Sequence, residues 1–145
     1  MKTLYTVGTS NRTPEEFVLL LHRYGIQLLV DVRRFPTSRI EHFKREHLAP
    51  LCTAAGIDYQ WMGDALGAFR SKGYDHHMGS DDFKKALHTL EGLALSRTAA
   101  LCCAEKLPWK CHRLFIAREL EKHTWNVLHI IDPDTIWTPQ QQELF

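Results

Sequence analysis

Residues 26–32 read IQLLVDV and run directly into RRFPTSR over 33–39. Apart from Gln27 and Asp31 the first stretch is continuously apolar, the pattern of a strand covered on both faces. Such a strand belongs to a parallel sheet with helices on either side. Asp31 and Arg33 then fall at its carboxyl end.

The flanking sequence repeats the alternation. Upstream, Leu4-Tyr5-Thr6-Val7 stops at Gly8, and Thr9-Ser10-Asn11 supplies turn residues, which predicts a first strand and its loop. Thr13-Pro14-Glu15-Glu16 sets a capping hydroxyl, a proline at the first helical position and a glutamate at the third before Phe17, Leu20, Leu21 and Tyr24, so a helix is expected up to Gly25. Downstream, 45–55 predicts a poorer helix interrupted by Pro50, followed by Gly56 and a third strand at Ile57–Trp61. Residues 62–80, with Gly63, Gly67, Gly73, Gly79, His76 and His77, read as a long functional loop or lid. Asp81 or Asp82 is expected to cap a helix carrying Phe83, Leu87, Leu90 and Leu93 or Ala94. Ala99–Cys103 is a fourth strand, about 111–122 a helix, and Val127–Ile131 a fifth strand. The expected fold is a three-layer, Rossmann-like α/β domain over 1–145, with a mainly parallel sheet of about five strands.

Composition agrees with one globular domain: 145 residues, 44% hydrophobic and 24% charged. Lys plus Arg number 18 against 17 Asp plus Glu, a net charge of +1 that argues against binding nucleic acid by bulk electrostatics alone. No apolar run approaches the roughly 18 residues of a membrane span. The opening MKTLYTVGTSN lacks a signal-peptide core, so the expected location is cytoplasmic, with no membrane partner. Three of the four cysteines, Cys102, Cys103 and Cys111, crowd into ten residues, unlike a secreted disulfide framework, and are expected as reduced thiols with Cys52.

In an open parallel sheet, ligands bind beyond the carboxyl ends of the strands. Here those positions hold Gly8, Thr9, Ser10 and Asn11; Asp31, Arg33, Arg34, Ser38 and Arg39; and Cys103, Glu105, Lys106, Cys111, His112 and Arg113. Pro108 restricts the last loop, and Cys111, His112 and Arg113 are expected in the first turn of the next helix, where free N–H groups favour anions. With Arg33, Arg39 and Lys110 this makes a phosphate or carboxylate site, unless each arginine fastens loops by pairing with Asp31 or Glu105. Asp31 and Glu105 are carboxylates placed for acid–base work, although Asp31 equally suits a role accepting backbone N–H groups and buttressing Arg33. Cys111 or Cys103, beside His and Arg, suits a nucleophile. A zinc site using Cys103, Cys111, His112 and His129 is poorly supported, because no C-x-x-C pair is present and Cys102 and Cys103 face opposite sides of a strand. No metal and no cofactor is expected.

The segments TVGTSN, LLVDVRRFPTSR, the Leu66-Gly67 pair, LCCAEKLPWKCHR and VLHI together resemble the DUF488 family. Its pattern reads roughly T-I-G-H-S, D-V-R-x-x-P-x-S-R and L-C-x-E-x-x-P-x-x-C-H-R. Thr9 stands where the family usually has His. The resemblance implies a compact α/β fold and a shared site at these motifs, and it implies no reaction. LLVDVR is also similar to the corresponding strand of rhodanese-like domains.

The loop aromatics lead to a substrate class. Phe35, Tyr59, Trp61, Phe69, Tyr74 and Trp109 fall at strand ends or in the Gly-rich stretch, where a ring stacks on a nucleobase for about 1–3 kcal/mol. Phe35 and Tyr59 are expected to close the core instead. The resulting expectation is an enzyme for a phosphate-bearing nucleobase substrate, a nucleotide or nucleic-acid fragment. Arg33, Arg39 and Arg113 bind phosphate, Trp61 or Trp109 stacks on the base, and Glu105 assists cleavage of a glycosidic bond. The alternatives are a cysteine-dependent sulfur or phosphoryl transferase and a binding module without catalysis.

Overall fold

The computed structural model describes residues 2–35 and 40–139. Six strands form one sheet: β1 (Thr3–Gly8), β2 (Leu28–Asp31), β3 (Asp58–Trp61), β4 (Ala99–Cys103), β5 (Asn126–Asp132) and β6 (Thr135–Trp137), in the order β3-β2-β4-β1-β5-β6. All neighbours are parallel except β5 and β6. The three-layer α/β expectation therefore holds, with a sixth strand added. That strand follows a tight turn at Pro133-Asp134 and is three residues long, too short for an alternation to stand out in the sequence.

Helices α1 (Pro14–Arg23) and α2 (Arg45–Ala54) cover one face, burying Phe17, Leu20, Leu21, Leu48 and Cys52 against Val7, Leu29, Ala100, Cys102 and Ile130. Helices α5 (Asp81–Ser96) and α6 (Arg113–Lys122) cover the other, where Phe83, Leu87, Leu90, Ile116 and Leu120 pack on Leu28, Val30, Leu101, Cys103 and Val127. Both faces of β2 and β4 are thus buried, as the apolar runs Leu28–Val30 and Ala99–Cys103 require. Cys102 and Cys103 lie on opposite faces, as strand alternation dictates.

Local chemistry sets the helix ends. Thr13 and Glu16 form the reciprocal capping box ahead of α1, with Pro14 inside its first turn. At α5 the cap is Ser80, not Asp81 or Asp82: its hydroxyl accepts from the Phe83 N–H, and both aspartates fall in the first turn beside the positive end of the helix. The stretch 62–80 is not one long loop but holds two short helices, α3 (Gly63–Leu66) and α4 (Tyr74–Met78).

The connections decide where a ligand fits. The chain leaves β1 toward β2 with α1 on one face, and leaves β4 toward β5 with α6 on the other face. Because β1 and β4 are neighbours, a crevice opens between their carboxyl ends. Gly8 pairs with Cys103 at that edge, and the ladder continues past it, Thr9 N donating to Cys103 O and Ser10 N to Ala104 O.

Candidate active site

A cavity of about 530 Å3 lies beyond this edge, lined by Arg33, Arg34, Phe35, Ala68, Phe69, Cys103, Ala104, Glu105, Lys110, Cys111 and His112. Its floor is the thiol pair. Cys103 Sγ lies 2.7 Å from Cys111 Sγ and 2.7 Å from Arg113 Nη1. The segment between the two cysteines makes one 3-10 turn at Pro108–Lys110, and helix α6 begins only at Arg113. Cys111 and His112 are therefore not in the first turn, as expected, but just before it. From there the Arg113 N–H at the helix start donates to Cys111 Sγ at 3.5 Å.

Gly8 makes this approach possible, since a Cβ there would collide with the Glu105 carbonyl and Lys106 Cα. The loop after β4 thereby folds over the end of β1, bringing its carbonyls to the arginine beneath.

Arg113 is fully buried. Its Nε donates to Thr6 Oγ1 at 3.1 Å, Nη1 to Cys103 Sγ and the Glu105 carbonyl, and Nη2 to the Lys106 carbonyl at 3.0 Å. The expected role in binding phosphate is corrected here: the guanidinium is enclosed and four of its five N–H groups are engaged within the fold. Among the described residues it has no carboxylate partner, so the only group it touches that can carry a compensating charge is Cys103. Burial pushes the Cys103 thiol up, but the Cys111 S–H, the Arg113 charge and further hydrogen bonds outweigh it and bring the thiol down to about 7. Cys111 moves the opposite way, held protonated by its hydrogen bond to Cys103 and by burial.

His112 Nε2 faces the Val32 carbonyl at 3.1 Å, which only accepts, so the proton is assigned to Nε2 and Nδ1 is the free acceptor, 3.5 Å from Cys111 Sγ. Burial lowers the His112 pKa and favours this neutral form. A base thus stands beside the thiol that must lose its proton second.

Asp31 and Arg33 form a brace rather than a reacting pair. Both are buried, with Nε to Oδ1 and Nη2 to Oδ2 each 2.8 Å, and Arg33 Nη1 donates to the Phe43 carbonyl. The Arg33 N–H and the Tyr59 hydroxyl fill the remaining acceptor positions of Asp31. Trp61 Nε1 donates to the Arg33 carbonyl while its ring carries the Arg45 guanidinium 4.8 Å above, so Trp61 is not available as the expected stacking platform. Nor is Trp109, which packs on Trp137 at 5.1 Å, away from the cavity lining. The exposed rings at the cavity are instead Phe35, expected to be core, and Phe69. They are 59% and 78% exposed, 6.0 Å apart, on the cavity wall. Phe69 sits at φ 63°, a left-handed backbone that a bulky residue adopts only when held, and Arg34 Nη1 holds its carbonyl at 2.5 Å. Gly67 fits here because a Cβ would strike Arg34.

Glu105 lines the cavity with an exposed side chain. Thr9 is buried with its hydroxyl oxygen unpartnered among the described residues, and Ser10 turns the chain at φ 52°. Ser38 and Arg39 lie outside the described residues. Of the zinc ligands considered, His129 does not reach the cysteines but bonds Thr6 Oγ1 through Nδ1 at 2.6 Å, behind Arg113. Among the described residues the one cluster of metal-type side chains is exposed Glu41, Glu46 and His47, none of which lines the cavity. Sequence reasoning placed Arg34 at this edge without giving it a role, and it missed Thr6, which alternates with apolar neighbours in β1 and carries no signal of its own.

Burial, reinforced by the Arg113 charge, lowers the His129 pKa to about 3. The unfolded chain, with His near 6.5, binds more protons between these values, so this histidine withdraws stability as pH falls below about 6.5. Between pH 7 and pH 5 the wild type is expected to lose about 2 kcal/mol more than His129→Leu, measured by urea unfolding. Equal losses would contradict a neutral buried imidazole.

The family described as "Domain of unknown function DUF488" matches residues 13–120, well over half of the chain, and the chain belongs to that family. No curated protein and no solved structure matches it.

Proposed function

We propose that this DUF488 domain is a cysteine-dependent enzyme in which the Cys103 thiolate attacks an electrophilic sulfur of an anionic small molecule and Cys111 resolves the adduct. The observation that carries this reading is a buried guanidinium, Arg113, without a carboxylate partner among the described residues, held 2.7 Å from a sulfur that has a second thiol 2.7 Å away. A cation in that position favours the thiolate over the thiol.

The steps balance as follows. The thiolate attacks the sulfur of a donor R–S–X, the S–X bond breaks with its electron pair, and X⁻ leaves behind Cys103–S–S–R. Cys111 passes its proton to His112 Nδ1 and attacks Cys103 Sγ, so RS⁻ leaves and a Cys103–Cys111 disulfide remains. Two electrons have moved from the dithiol to the donor, and an external thiol, itself oxidised to its disulfide, restores the pair. Arg34 and Lys110 on the cavity wall favour a negatively charged donor or leaving group.

A second reading keeps the glycosidic chemistry on a nucleobase-bearing substrate, with Glu105 assisting. One observation favours it: Glu105 shares the cavity with the exposed Phe35–Phe69 pair. Single-turnover assays with thiosulfate, an alkyl thiosulfonate and a small disulfide separate the two. Under the cysteine reading Cys103→Ser abolishes product release, and Glu105→Gln stays within about twofold of wild type. Retained turnover in Cys103→Ser, with loss in Glu105→Gln on a nucleoside substrate, would replace the first reading by the second.

A further inference from the structure

Arg34 belongs to two cavities at once. Besides the one above, it lines a cleft of about 220 Å3 formed with Arg70, Ser71, Lys72, Gly73, His76, His77 and Ser80. The cleft is smaller than the roughly 300–1,000 Å3 that accommodates a drug-sized ligand, so on its own it suits a compact anion rather than a whole substrate.

Its charge is unbalanced within the fold. Arg12, Arg23, Arg33 and Arg97 each pair with an aspartate, whereas Arg34, Arg70 and Lys72 make no ion pair among the described residues. Both arginines are instead fixed by backbone carbonyls, Arg34 through Nη1 to Phe69 and Arg70 through Nε to Gly67 at 2.9 Å and Nη2 to Asp64 at 2.5 Å. Neither anchor neutralises a charge, and each leaves guanidinium N–H groups over. Burial and then the charge of Arg34 lower the Arg70 pKa, with Tyr74, Asp64 and Asp82 opposing from outside. Two like charges are therefore positioned together before any anion arrives, the arrangement that recognises phosphate oxygens.

Arg34 also joins this cleft to aromatic surface, its guanidinium lying 5.5 Å from the Phe35 ring centroid and its Nη1 on the Phe69 carbonyl. We infer that the cleft is the phosphate subsite of the substrate, which is a phosphate- or diphosphate-bearing aromatic small molecule with its planar group on Phe35 and Phe69. This rests on the reading that the adjoining thiol cavity is where substrate reacts. Of the expected phosphate ligands, Arg33 and Arg113 are enclosed, and Arg34, Arg70 and Lys72 take over their part.

Isothermal titration of the reduced full chain with inorganic pyrophosphate tests this, repeated with a nucleoside diphosphate and with a short single-stranded oligonucleotide. The expected result is one pyrophosphate per chain, with Kd raised about tenfold in Lys72→Gln and in Arg70→Gln and within twofold of wild type in Cys103→Ser. The nucleoside diphosphate is expected to bind about tenfold tighter than pyrophosphate, the effect of one stacked base. Circular dichroism of each variant verifies folding, and exposed Lys72 carries the test if Arg70→Gln fails to fold. Absence of pyrophosphate binding, or binding unchanged in Lys72→Gln, overturns the subsite. An oligonucleotide that binds tighter than the nucleoside diphosphate overturns the small-molecule assignment. Thiol alkylation measured on the same samples separates these failures from a failure of the cysteine reading.

Discussion

Alkylation of the reduced protein by iodoacetamide is expected to show one fast thiol whose rate titrates with a midpoint near pH 7, and Cys103→Ser is expected to remove that phase entirely. The midpoint follows from the Cys111 and Arg113 contacts, which lower the Cys103 thiol to about 7 against the push of burial. At pH 6 a thiol with that pKa is about 9% ionised, against about 0.3% at the ordinary value of about 8.5, a gain of about thirtyfold in thiolate. Nucleophilicity falls with basicity, with a Brønsted slope near 0.4–0.5, which takes back about fivefold over that interval. A net advantage of about sixfold over an ordinary cysteine remains. Cys52 and Cys102 do not compete, because burial raises Cys52 to about 12 and holds Cys102 well above the ordinary thiol range. A fast phase that survives Cys103→Ser, or one whose midpoint lies above 8.5, would contradict this electrostatic account.

The second large effect concerns the arginine beneath. Arg113→Met is expected to destabilise the fold by about 3–5 kcal/mol and to move the alkylation midpoint above 8.5. The stability loss follows because the side chain serves Thr6, the carbonyls of Glu105 and Lys106, and Cys103 from a position with no solvent to replace it. Each acceptor left bare costs about 1–3 kcal/mol, and breaking a buried charge pair costs about 3–5. Arg113→Lys keeps the charge but has three donors on one nitrogen, so it is expected to preserve part of the lowered midpoint and little of the loop anchoring. Urea unfolding and the alkylation profile give both numbers, and an unchanged midpoint in a folded Arg113→Met would remove the arginine from the account.

The layers of this fold were legible because the relevant signals are local. IQLLVDV, apolar but for Gln27 and Asp31, and AALCC, apolar throughout, are runs that a strand buried on both faces sustains, and Thr13-Pro14-Glu15-Glu16 fixes a helix start by its own hydrogen bonds. Strand β6 and helices α3 and α4 were not legible, since each is three to five residues long and depends on the sheet or on α5 for its stability.

The site was legible as a set of positions but less so in its roles. Sequence brings Gly8, Asp31, Cys103 and Arg113 to one sheet edge through topology alone, yet whether an arginine points into a cavity or under it depends on packing many residues away. Arg113 turns inward because Gly8 lets the Glu105 and Lys106 carbonyls come close enough to receive it. The same holds for Phe69, whose left-handed backbone no local pattern announced.

The most direct test of the central claim is peptide mapping by mass spectrometry after one equivalent of a small disulfide is added to the reduced protein and to Cys111→Ser. The account predicts an intramolecular Cys103–Cys111 disulfide in the wild type and a stable mixed disulfide on Cys103 in the variant, because attack and resolution are assigned to different sulfurs. A mixed disulfide that persists in the wild type, or an adduct confined to Cys52 or Cys102 with Cys103 unmodified, would contradict it.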